Sequence, residues 1–205
     1  MALPRSLSHG LTPAEIEFLA ENEMIEILPN FRVDTLDFIS GSCGPFRPPG
    51  KTKTPLWLAL ALKKQQKCTI IPPSWLTVEN LSQRLEEEES EGQFSELPYR
   101  YMEIAHLILE SASEDVPRSE NVRKLLKDLR EVRQSKAREG LTALNPDYLQ
   151  MDNLGLMEIN EIRPFFGRAF DELRKLTPVE DPYASQSQDT YSNTGRSRSR
   201  SNFSQ

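Results

Sequence analysis

The segment PLWLALALKKQQKCTIIPPSWL, residues 55–76, contains a helix, a strand and a hard stop in quick succession. Thr54 and Pro55 suit the cap and first position of a helix. Leu56, Trp57, Leu58, Ala59, Leu60, Ala61 and Leu62 form an apolar run too dense for one face of an exposed helix, so other elements must cover it. Lys63, Lys64 and Lys67 then place cations where a helix C-terminus favours them. Residues 68–71, CTII, read as a short strand that Pro72 and Pro73 terminate. The segment is therefore a joint between two structural units.

On the N-terminal side, Thr12, Pro13 and Glu15 form a capping-box signature for a helix over residues 12–22, with Ile16, Leu19 and Ala20 on its buried side. Short apolar or alternating pieces at residues 24–39, broken by Pro29-Asn30 and Asp34-Thr35, predict small strands. Residues 41–54 are rich in glycine and proline and read as a loop. On the C-terminal side the pattern is helical. Thr77 caps a helix with Val78, Leu81 and Leu85, which runs into the acidic cluster at residues 86–91. Residues 99–112 form the next helix, with Tyr101, Ile104, Ala105, Ile108 and Leu109 on its apolar side. Val122, Leu125, Leu126, Leu129 and Val132 follow the i, i+3, i+4, i+7 rule in a third helix beginning at Ser119. A last helix spans 155–176, with Glu158 in capping-box position and Pro164 expected to kink or divide it.

The expected class is α+β, mainly α. A small β-rich domain occupies residues 1–72, with a short N-terminal helix and the Trp57 helix, and a helical-bundle domain occupies 73–176. A tail at 177–205 is so poor in apolar residues that it reads as disordered. The chain has 205 residues, 37% hydrophobic and 27% charged, with a net charge of -6, which argues against a protein built chiefly to grip DNA. Neither a membrane span nor a secretory signal is readable. Cys43 and Cys68 sit far apart in different contexts, as reduced thiols of a nuclear or cytosolic protein would.

Sites for chemistry are largely missing from the pattern. His9, His106, Cys43 and Cys68 are too scattered to hold a metal, and His106 reads as a packed or half-exposed helix residue. The glycines of residues 41–50 lack the Gly-Lys-Ser/Thr ending of a phosphate loop. Neither a catalytic group nor a cofactor is expected. Residues 118–138 carry eight cations against three acids, Arg123, Lys127 and Arg130 among the cations. This face reads first as a solvated surface opposite the apolar stripe, since no aromatic residues interleave it. The alternative is direct contact with nucleic acid or an acidic partner. The acidic run at 86–91 reads as a solvated helix end, or else as a contact for a basic partner. The last helix carries an apolar surplus: Leu154, Met157, Ile162 and Phe165 widen its stripe, which points to cover from another protein as well as from its own core.

Seven blocks then stand in order along the chain: AEIEFLAENE (14–23), IEILPN (25–30), GPF (44–46), PLWLA (55–59), KC (67–68), PPSWL (72–76) and LGLMEIN (154–160). Together they resemble the Psf-two subunit family of the eukaryotic GINS complex. The resemblance implies a non-enzymatic subunit of a heterotetramer of four related chains, each with a small β-rich and a larger helical domain. It also implies that this assembly joins Cdc45 and the Mcm ring as the replicative helicase in the nucleus, where the Mcm subunits hydrolyse ATP and the leading-strand DNA polymerase is linked to it. DNA contact by this chain would be indirect or weak. On that reading the candidate subunit-interface residues are Leu125, Leu129, Val132, Leu154, Leu156, Met157, Ile159, Ile162, Phe165, Phe166 and Phe170. Trp57 and Trp75 are candidates for setting how the two domains sit.

Overall fold

The computed structural model describes residues 10–39, 41–140 and 151–176; the tail expected at 177–205 lies outside these residues. The class is α+β and mainly α, with the strands confined to the N-terminal part. Helix α1, Pro13–Ala20, begins with the full capping box, in which Thr12 and Glu15 each cover a backbone N–H of the other. Strand β1, Met24–Pro29, is the centre of a three-stranded antiparallel sheet between β4, Thr52–Pro55, and β5, Cys68–Ile71. A separate hairpin pairs β2, Leu36–Phe38, with β3, Gly41–Cys43. Ile25 and Ile27 alternate inward from β1, and helix α2, Leu56–Lys64, packs on all three strands of the sheet.

Two expectations at this junction are corrected. Residues 41–54 are not one loop, because both β3 and β4 form within them. Strand β4 is only four residues of Thr, Lys and Pro, and β1 supplies its pairing in the register Ile25 to Thr54. Thr54 likewise does not cap α2: it is fully buried in β4, and Pro55 occupies the cap without a side-chain hydrogen bond. The first N–H groups of α2 are served from a distance, Leu56 by the Glu23 carbonyl at 2.8 Å and Trp57 by that of Glu21 at 3.0 Å.

The helical unit comprises α3, Val78–Ser90, α4, Tyr101–Ser111, a 3₁₀ turn at Ser113–Asp115, α5, Ser119–Gly140, and α6, Leu156–Leu176. Thr77 caps α3 through the Asn80 N–H. α6 remains one helix across Pro164, so of the two expected outcomes, a kink or a division, the division does not occur. The backbone bond that proline removes is one of many in a long helix, and the loss is local.

One side chain ties this unit together. Arg133 on α5 is 1% exposed and uses all five of its N–H donors. Its Nε and Nη2 grip both oxygens of Glu158 on α6 at 2.7 and 2.9 Å. Nη1 donates to Glu88 Oε2 on α3 at 3.1 Å and to the Ser95 carbonyl at 3.2 Å, and Nη2 also donates to the Asn153 carbonyl at 2.6 Å. The Phe94 ring lies 5.0 Å from the guanidinium. The two acids are also fully engaged. Glu158 accepts from the Tyr101 hydroxyl of α4 and from the Gly155 N–H, both at 2.7 Å. Glu88 accepts from the Ser95 N–H at 2.8 Å and from Lys136 Nζ at 2.9 Å. Both Arg133 and Glu88 were expected in solvated charge runs; their burial corrects that reading. A buried arginine is stable only where carboxylates and carbonyls meet every donor, and this pocket is made by four separate segments.

A second cluster joins the two units. Lys63 at the end of α2 binds Asp115 at 2.9 Å and Glu114 at 2.6 Å, and Asp115 accepts the Ile70 N–H of β5 at 2.8 Å. The side chains of Lys63 and Asp115 are 12% and 7% exposed. Helix α1 crosses the same boundary by packing against α4 and α6, while Arg100 on the α4 side reaches the Leu19 carbonyl and Glu23 at 2.8 and 2.9 Å. The Trp57 ring meets Phe38 edge-on at 5.1 Å, inside the N-terminal unit. Trp75 is half-buried beside Arg84, Leu97 and Pro98 of the helical unit.

Three outcomes follow from these clusters. Arg133→Met should lower the unfolding free energy by about 3–5 kcal/mol, because it strands two buried carboxylates; denaturant melts would measure it. Burial pushes the Glu88 carboxyl up, but Ser95, Lys136 and Arg133 together hold it below its ordinary value of 4.5. Its contribution is therefore fully present above about pH 4.5 and lost as pH falls further, so Glu88→Gln should flatten the acid limb of the stability curve. Asp115→Ala should speed amide exchange at Ile70 and weaken docking of the sheet on the helical unit, while leaving exchange around Arg133 unchanged.

Candidate assembly surface

The apolar surplus of the last helix is divided between the chain's own core and its exterior. Leu129 on α5 is fully buried, and Leu154 and Phe166 are 7% and 8% exposed. These three are covered by the chain itself. Leu125, Val132, Leu156, Met157, Ile159, Ile162 and Phe170 are half-buried, and Phe165 is 68% exposed. Beside Phe165, a groove of about 320 Å³ runs between α5 and α6, lined by Gln134, Ala137, Arg138, Glu161, Ile162, Phe165 and Phe166. Glu158, held by Arg133, fixes the first turn of α6 and so sets the angle at which this helix leaves the bundle. Beyond Pro164 the helix alternates half-buried Phe170 and Leu173 with exposed Arg168, Asp171 and Glu172. An apolar groove overhung by an exposed phenylalanine can bind another apolar surface.

The cations singled out on α5 are already occupied. Arg123 donates to the Leu109 carbonyl and lies 3.7 Å from Glu120. Lys127 pairs with Glu131 at 3.7 Å, and Arg130 bonds Glu161 of α6. A face whose cations are matched by local carboxylates offers a weak field to a phosphate backbone. His106 is 63% exposed in its side chain, 3.8 Å from both Glu17 and Glu110. Cys43 and Cys68 are buried free thiols, and burial pushes Cys68 up to about 11, which makes it a poor nucleophile. Among the described residues there is no group of three His, Cys, Asp or Glu that could hold a metal, and no helix long and apolar enough to cross a membrane.

Sequence reasoning missed the buried acids and Arg133, although a signal was present. Arg133 lies four residues after Leu129 and four before Ala137, on the line of the apolar stripe. Glu88 falls seven residues after Leu81 on α3 in the same way.

Residues 12–71 match the PSF2 N-terminal domain family, and residues 75–177 match the GINS complex protein helical bundle domain family. The chain is similar to the DNA replication complex GINS protein psf2 of Schizosaccharomyces pombe, 48% identical over 87% of this chain and 98% of that protein. It is also similar to the DNA replication complex GINS proteins PSF2 of Homo sapiens and Xenopus laevis, each 39% identical over 86% of this chain and 98% of theirs. With two domain families covering nearly all of the described residues in the expected order, this chain belongs to the PSF2 family of GINS complex proteins.

Proposed function

We propose that this chain is a non-enzymatic subunit of a heterotetrameric GINS complex, which scaffolds the Cdc45-Mcm-GINS helicase in the nucleus during initiation and elongation of DNA replication. The naming of its relatives as DNA replication complex proteins supports the process. The observation that carries the mechanism is Phe165, 68% exposed above the groove between α5 and α6. Large aromatic side chains left in water beside an apolar groove favour association with a partner surface. The three other GINS subunits meet this chain through α6 and the adjoining face of α5, with Ile162, Phe165 and Phe170 crossing the interface. Leu129, Leu154 and Phe166 support that face from within. The Mcm ring, Cdc45 and the leading-strand polymerase are then engaged by the assembled tetramer, and work is done by differential binding instead of catalysis.

Co-expression of the four subunits tests this. Phe165→Asp should leave the chain folded, since its ring is largely in water, yet reduce recovered tetramer about tenfold or more. Leu129→Asp should instead lose the fold, because it buries an unpaired carboxylate. Undiminished co-purification of all four subunits with the Phe165 variant would reject the proposed surface. The purified wild-type tetramer should show no ATP hydrolysis in the absence of Mcm proteins.

A further inference from the structure

Helix α6 meets α4 and α5 mainly through long side chains. Glu158 accepts from Arg133 and the Tyr101 hydroxyl, and Glu161 accepts from Arg130 and Gln134. Among the described elements, α1 is the one whose backbone packs closely on α6. Anchors made by long side chains near one end of a helix hold a point and leave the helix free to rock about it. The lever is long: from Glu158 to Leu176 the helix runs about 27 Å, so a rocking of about 10° carries its end about 5 Å.

The contact with α1 is made on the other side of the helix. Asn160 follows Glu158 by two positions, which is about 200° around the cylinder. Its Nδ2 donates to the Leu11 carbonyl at 2.7 Å, just ahead of the Thr12 cap of α1. Gly10 lies so close that a Cβ there would stand 2.5 Å from Asn160 Oδ1. The backbone of Gly10 is not left-handed, so glycine is needed at this position for space alone. The far end of α1 is fastened as well, where Arg100 holds the Leu19 carbonyl and Glu23. Glu21 and Glu23 in turn give their carbonyls to the first N–H groups of α2. α1 therefore runs from α6 to the sheet unit with a hydrogen bond at each end, and Ile16 and Ala20 are buried on its inner side.

We infer that α1 is a strap that holds α6 against rocking and so couples the N-terminal unit to the presentation of Phe165, with Asn160 and Gly10 as its positioning residues. Arg133 sets the angle of α6, and the strap limits excursions from that angle. The consequence for assembly rests on the reading of Phe165 as a subunit contact; the strap itself does not. Coupling between sites is reciprocal, so a partner seated on α6 must also tighten α1.

The test uses the full chain, free and in the reconstituted tetramer, as the wild type, Gly10→Ala, Asn160→Ala and the double variant. An alanine at position 10 should swing the half-buried Asn160 amide aside and break its bond to Leu11, leaving the core intact. In the free chain, amides of residues 159–166 should then exchange about fivefold faster in each single variant, with those of residues 130–137 unchanged. Each single variant should also leave the tetramer about fivefold faster, and the double variant no faster than Asn160→Ala, because both substitutions act on one bond. In the wild type the amides of α1 should slow on assembly, and in Asn160→Ala that slowing should be lost. Amide or subunit exchange at the wild-type rate in the single variants, a double variant whose effects multiply, or α1 protection that persists in Asn160→Ala would each overturn the inference. If the strap variants loosen α6 in the free chain while the Phe165→Asp variant still co-purifies undiminished, the Phe165 surface falls and the strap stands.

Discussion

The helical unit depends on the guanidinium of Arg133. Its five donors meet Glu158 of α6, Glu88 of α3, and the carbonyls of Ser95 and Asn153, so four segments must arrive together before the charge can leave water. Such a set is high in cost if any member is missing and neutral in net charge when complete: Arg133 and Lys136 balance Glu88 and Glu158. Apolar stripes allow helices to slide or rotate against one another with small penalty, whereas a bidentate arginine accepts one arrangement. The direction in which α6 leaves the bundle, and with it the placement of Phe165, follows from that bond.

The same logic operates at the junction. An apolar helix covers the sheet, yet the contact that aligns the sheet with the helical unit is polar: Lys63 and the Ile70 N–H both end on Asp115. The chain thus separates two tasks. Hydrophobic burial by Ile25, Ile27, Leu58 and Leu60 holds each layer closed, and a few shielded hydrogen-bonded charges define how the layers are set. Surface charge is treated differently. Three of the outward-facing cations of α5, Arg123, Lys127 and Arg130, each lie near a carboxylate, so the helix presents less uncompensated charge than its composition suggests.

Much of the helical framework was legible in the sequence because period and caps are local properties. Thr12 with Glu15 and Thr77 before Val78 mark helix starts, and the Val122–Val132 spacing marks a face. Strand β4 was not legible, since four residues of Thr, Lys and Pro have no strand pattern of their own and become a strand only beside β1. The burial of Arg133 and Glu88 was hidden for a related reason. A charged residue on an apolar stripe looks like an interruption until its partners, distant in the chain, are in place.

The amino-acid sequence by itself determined the α+β class, the two-part order of the chain, the helices of the second unit and the family blocks. These rest on interactions within a few residues or on residue identity alone. Only the tertiary structure decided which apolar side chains close the core and which remain outside it. Leu129 and Phe166 are enclosed while Phe165 is in water, although all three read as one apolar set. The physical reason is that the helical period places residues on a face, but the angle between helices decides how far that face is covered. Here that angle is set by a charge network whose members run along the chain from Glu88 to Glu158.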